Sequence, residues 1–135
     1  VFARAFARSP RNTDADLTTT LGLVIAHVHI GAGKAARGER LAASTSLRGD
    51  AVTYLLTALA VISPPDARAD HLDPRRRVEQ SHPAIASALV KTVRAEELEL
   101  ARQLLDLTEN LFGDRPEYPG GAVASVRARH GFPAS

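Results

Sequence analysis

The stretch AEELELARQLLDLTENLF, residues 95–112, decides the fold class. Leu98, Ala101, Leu104, Leu105, Leu111 and Phe112 recur at spacings that stack side chains along one face of a helix. Glu99, Arg102 and Asp106 fall at i, i+3 and i, i+4 separations, a ladder of alternating charge suited to the outer, solvated side. Gly113 stands where a helix C-terminal cap belongs. An amphipathic helix of this length needs a partner surface for its apolar face, so the expectation is helix packed on helix.

Working outward, the same periodicity returns on both sides. Upstream, Pro83 opens a short helix to about residue 93, and Asp73-Pro74 has the form of an N-cap followed by proline at the first helical position, predicting a helix through Gln80. Ser63-Pro64-Pro65-Asp66 stops an earlier helix over 39–62, whose apolar side is read as Leu41, Leu47, Ala51, Val52, Leu55, Ala58, Leu59 and Ile62. On its other side Ser46, Asp50, Thr53 and Thr57 align as a polar stripe, either a solvated face or the wall of a pocket. Gly38 separates that helix from one over 14–37, carried by Leu17, Leu21, Val24, Val28 and Ala35. Leu23 and Ile30 lie opposite these, which predicts burial nearly all round and a central place. Gly22, Gly31 and Gly33 each cost a helix roughly 1 kcal/mol against alanine, a cost with a purpose where another helix approaches closely. Downstream, a turn at 116–121 leads to a last short helix over 122–130, ended by Gly131 and Pro133.

No stretch alternates as a half-buried strand would, and no long period repeats. The reading is therefore all-α, an up-and-down bundle of four to six helices over 14–135, with 1–13 as a linker or the end of a preceding domain. At 135 residues, 44% hydrophobic and 24% charged, the chain has the size and composition of one folded domain. It begins at Val1 and holds no methionine, so a further segment is expected upstream.

With no cysteine, disulfides, thiolate zinc sites and cysteine nucleophiles are excluded. The apolar runs are too short for a membrane span and no signal segment opens the chain, so a cytoplasmic location is expected. Net charge is only +2, and fifteen of the seventeen basic residues are arginine, a bias of composition that does not call for a nucleic-acid partner.

The motifs of chemistry are incomplete. Gly31-Ala32-Gly33-Lys34-Ala35-Ala36 lacks the strand and the hydroxyl of a phosphate-binding loop. His27 and His29 point about 200° apart on a helix and cannot share an ion. Asp70, His71 and Asp73 sit in one short loop, where capping and loop hydrogen bonds account for them. No serine elbow or zinc helix occurs, so neither a catalytic group nor a metal ligand is assigned. An alternative is a ribonuclease of the kind that pairs Arg with a His four to six residues later at a dimer interface, for which Arg77 and His82 have the spacing.

Two segments carry a resemblance. Residues 36–43, Ala-Arg-Gly-Glu-Arg-Leu-Ala-Ala, and residues 71–79, His-Leu-Asp-Pro-Arg-Arg-Arg-Val-Glu with Pro83 behind them, are similar to the helical C-terminal domain of lincosamide and kanamycin-type nucleotidyltransferases. The second segment departs from that pattern at His71, where the family often has Asn, and at Val78, where it has Phe. The resemblance implies an accessory substrate-binding domain, not catalytic alone, that helps hold a small-molecule acceptor and build a homodimer. It implies that Mg²⁺ and the nucleoside triphosphate belong to a nucleotidyltransferase domain, fused upstream or separately encoded. The acceptor-binding candidates are then Glu39, Ser46, Asp50, Thr53, Asp70, His71, Asp73, Arg75 and Arg76. A pure interaction module, the helical partner of a separate transferase, is the remaining class.

Overall fold

The computed structural model describes residues 13–63 and 74–134, and among these it contains six helices and no strand. Helix α1 spans Thr13–Ala36. Helix α2 runs over 40–62 in three parts, an α-helical turn Arg40–Ser44, a π-helical segment Thr45–Ala51 and an α-helical stretch Val52–Ile62. Then follow α3 (Pro74–Ser81), α4 (Pro83–Thr92), α5 (Glu97–Phe112) and α6 (Gly120–His130). The linker expected over 1–13 falls, up to residue 12, outside the described residues, as do residues 64–73.

Helix α1 packs against α2, α5 and α6. Leu17, Leu21, Val24, Ile25, Val28 and Ala32 are buried there, at the spacing of one helix face. Burial is not all round, however. Gly22 and Ala26 are exposed and Ile30 is 43% exposed, four residues apart in each step, so α1 keeps one open side. Two of those three residues have almost no apolar side chain to hide, and leaving that side wet costs little.

The α1–α2 seam is close because Gly31 has no side chain. A Cβ there would lie 2.5 Å from Cγ of the fully buried Leu47. Gly22 and Gly33 meet no such neighbour. Gly38 ends α1 at φ 82°, a left-handed conformation that only glycine enters freely, and the amides of Gly38 and Glu39 reach back to the carbonyls of Ala35 and Lys34, both at 2.9 Å. Gly131 closes α6 in the same manner, with Phe132 N donating to Arg127 O at 2.8 Å.

The π segment was not foreseen, and it corrects the reading of α2. In an unbroken α-helix at about 100° per residue, Leu41 would share a face with Val52, Leu55 and Leu59. A π turn takes an extra residue, so everything before it is rotated relative to everything after it. Leu41 is accordingly 90% exposed, whereas Ala43, Leu47, Ala51, Leu55, Leu56 and Leu59 are buried.

In α5 the buried set is Glu97, Leu100, Ala101, Leu104, Leu105, Thr108 and Phe112, a regular stripe. Leu98 lies one position off it and is 36% exposed, and Leu100, left out of the expected face, is fully buried. Gly113 does follow α5, but with φ −58°, so it terminates the helix without a left-handed turn. The charge ladder is a half-buried seam, not a solvated rim. Arg102 pairs with Glu99 and, at 2.6 Å, with Asp106. Asp106 in turn meets the buried Arg127 of α6 at 2.9 Å, which also donates to Glu109 at 3.3 Å and to the carbonyl of Pro133 at 2.9 Å. Hydrogen bonds from Arg102 and Gln103 hold the Glu99 carboxyl down to about 2. Burial, reinforced by the nearby Glu109 carboxylate, pushes the Tyr118 phenol up to about 12.

Candidate functional site

One set of polar residues converges around the π segment. Its wide turn is pinned on the inner side by Arg48, whose guanidinium donates to the carbonyls of Val93 (2.8 Å) and Ala95 (2.5 Å), to Ser44 Oγ (3.0 Å) and to Glu97 (3.0 Å). Arg40 completes the carboxylate's partners at 2.5 Å. Hydrogen bonding from Arg40 first, then Arg48, holds the Glu97 carboxyl below its ordinary range against the opposing effect of burial. On the outer side Arg75 of α3 donates to Arg48 O at 3.0 Å, to Gly49 O at 3.5 Å and to Thr53 Oγ1 at 3.3 Å. Arg75 thus adds a donor to two carbonyls on the solvent side of the π turn.

The extra residue also splits the expected stripe. Ser46 is rotated inward and buried, and Lys34 Nζ donates to its Oγ at 3.4 Å. Asp50 stays half-exposed at the α1 seam, its Oδ2 3.6 Å from His27 Nδ1. Thr53 turns toward α3, where Arg75 holds it. Ser46 and Asp50 thus face α1, through Lys34 and His27 two helical turns apart, while Thr53 belongs to the neighbouring seam.

His27 is the member that sequence reasoning passed over, because it was weighed only against His29. Its ring stacks on Tyr54 at a centroid distance of 5.4 Å and an interplanar angle of 16°. Its Nδ1 is buried, stands beyond bonding range of Asp50, and has no hydrogen-bond partner among the described residues. The pairing that would have found it is His27 on α1 with Asp50 on α2, which no spacing within one helix reveals. Chemically the group offers a carboxylate, an imidazole and a phenol ring side by side, a set suited to a ligand that is both cationic and rich in hydroxyls.

Other candidates lie apart. Glu39 sits in the α1–α2 turn, paired locally with Arg37 at 3.1 Å, and it precedes Asp50 by about 16 Å of helix rise. Arg37 holds the Glu39 carboxyl below its usual range. Asp70, His71 and Asp73 are outside the described residues. Arg76 and Arg77 lie on α3, and their side chains are outside the described set. His82 caps α4, with Nε2 3.2 Å from Ser63 Oγ. Because the Ser63 hydroxyl donates to Leu59 O at 2.6 Å, the imidazole supplies the proton of that contact.

Beside Arg75 an open notch of about 160 Å³ is lined by Val52, Leu56, Leu89, Val90 and Val93, with Arg75 and Glu79 as its polar members. Small-molecule pockets usually hold about 300–1,000 Å³, so the notch takes at most a branched side chain of a ligand. No three His, Asp or Glu residues converge among the described residues in a way that could hold a metal ion. No described helix is long and apolar enough to cross a membrane.

No protein-family model, curated protein or solved structure matches the chain. The functional reading therefore rests on the residues and on their geometry.

Proposed function

We propose that this chain is the accessory, substrate-binding helical domain of a nucleotidyltransferase-like protein of the antibiotic-modifying type, holding a cationic, hydroxylated acceptor against a partner domain and not catalytic alone. The observation that carries the reading is the open half-site of Asp50, His27 and Tyr54 at the α1–α2 seam. It presents an exposed carboxylate beside the stacked rings of His27 and Tyr54. Ligands are usually buried over most of their surface, so a half-site of this kind works against a second surface. The described residues do not fit a Mg²⁺·triphosphate, since their carboxylates are dispersed or engaged by arginine. That chemistry belongs to the partner domain. Dimerisation is part of the same proposal, supported by the exposed Leu41 and Leu98, which adjoin the Arg40–Glu97 pair that joins the starts of α2 and α5.

An aminoglycoside titrated into the ¹⁵N-labelled chain should shift the amides of His27, Asp50 and Tyr54, whereas a neutral disaccharide should not. Asp50→Asn should weaken the aminoglycoside by about tenfold, or about 1.4 kcal/mol, while the melting temperature stays close to that of the parent, because the side chain is half-exposed. Equal affinity in the variant, or shifts confined to other helices, removes the acceptor site from this seam.

A further inference from the structure

The last turn of α6 is fastened to α1 by two histidines. His29 Nδ1 and His130 Nε2 stand 2.9 Å apart, with ring centroids at 5.1 Å. Phe132, held back over the helix end by its bond to Arg127 O, stacks on His130 with ring centroids 5.7 Å apart. The contact joins residues 101 positions apart in sequence, and both rings are partly buried. Apart from it, α6 is tied down by Val123 and Val126 and by the Arg127 bridge to Asp106 and Glu109.

We propose that His29 and His130 form a proton-sharing clasp that holds α6 on α1 at neutral pH and releases it on mild acidification.

The physics is one of counting protons. A hydrogen bond between two imidazole nitrogens needs one N–H and one lone pair. The neutral pair satisfies this in one choice of tautomers, and the singly protonated pair satisfies it with a charge-assisted bond. The doubly protonated pair sets two N–H groups against each other and adds charge repulsion, so the closed clasp refuses the second proton. The charged groups acting on His130 are His29 from α1 and Arg129 on its own helix, both cationic when protonated, and burial works in the same direction to lower its affinity for a proton. Once α6 is detached, the His130 ring returns to the ordinary imidazole value of about 6.5. Below that pH the open state therefore binds one proton more than the closed state, down to the lowered value of the clasped pair. The sign follows: stability of the closed form is full above about 6.5 and falls as pH drops toward the lowered value, with the open population rising about tenfold per pH unit. The Arg127 bridge to Asp106 and Glu109 contains no imidazole, so the histidine variants leave it in place and separate the two effects.

Native-state amide hydrogen exchange, corrected for intrinsic rates, reads this directly. Between pH 6.5 and pH 5.0 the opening of α6, followed at Val123 and Val126, should increase by about tenfold or more, while Val24 and Val28 in α1 stay protected. In His130→Gln and in His29→Gln, either of which suffices if the other folds poorly, α6 should be more open at pH 7 and its opening nearly flat over the same range. A flat response in the parent protein, an equal loss of protection in α1, or a full pH response retained in the variants overturns the clasp.

Discussion

Gly31→Val should destabilise the protein by about 2–3 kcal/mol, although valine is the better helix former. A Cβ at this position would lie 2.5 Å from Leu47 Cγ and 2.7 Å from Cδ2, distances that real Cβ atoms do not reach. Leu47 is fully buried, so its side chain has no solvent to retreat into, and the added carbon must push α1 and the π segment apart or force Leu47 off its rotamer. Overpacking of this sort typically costs about 1–3 kcal/mol, and the two further methyls of valine place the change at the upper end, with the gain in propensity of under 1 kcal/mol in opposition. Gly22→Ala, in the same helix but with nothing within 4 Å of its Cβ, should instead stabilise by about 0.5–1 kcal/mol. Urea unfolding of the two variants settles the matter. Equal behaviour at both positions would mean that the α1–α2 approach does not depend on glycine.

The π segment marks the border between what the sequence told and what it withheld. Helix starts and stops were legible because each is set by a local rule: the left-handed glycines Gly38 and Gly131, the prolines at positions 74 and 83, and the extended Ser63 before Pro64. A π turn has no such local signature here. It arises where tertiary packing rewards an extra residue, in this case with Arg48 reaching the α4–α5 connection inside and Arg75 bonding the Arg48 carbonyl outside. The site was half-legible for the same reason. Asp50 and Thr53 were marked by residue type, but the face each one occupies depends on a rotation that the 3.6-residue period does not contain. His27 was invisible as a partner because its contacts, Asp50 and Tyr54, come from another helix. Leu98 and Leu100 fail differently: there the period was sound, and the error was to follow leucines one position off the stripe that Glu97, Ala101, Leu104 and Thr108 define.

That distinction is measurable. Leu104→Ala should cost about 2–5 kcal/mol, because Leu104 is fully buried among Leu100, Leu105 and the other apolar residues of the common core, and truncation removes both transfer free energy and packing contacts. The backbone there leaves little room for relaxation, since the carbonyl of Leu104 accepts a 2.7 Å hydrogen bond from the buried Thr108 hydroxyl in addition to its place in the helix. A site that cannot collapse keeps its cavity and sits toward the upper half of the range. Leu98→Ala makes the same chemical change on the same helix, less than two turns earlier, where the side chain is 36% exposed. It should lie within about 1 kcal/mol of the parent, as alanine's higher helix propensity offsets part of the lost contact. If the two variants unfold at the same denaturant concentration, the buried stripe of α5 is misassigned. If Leu98 proves the costlier of the two, its exposed side is covered in solution, and concentration-dependent unfolding of the parent protein would then show that a second copy covers it.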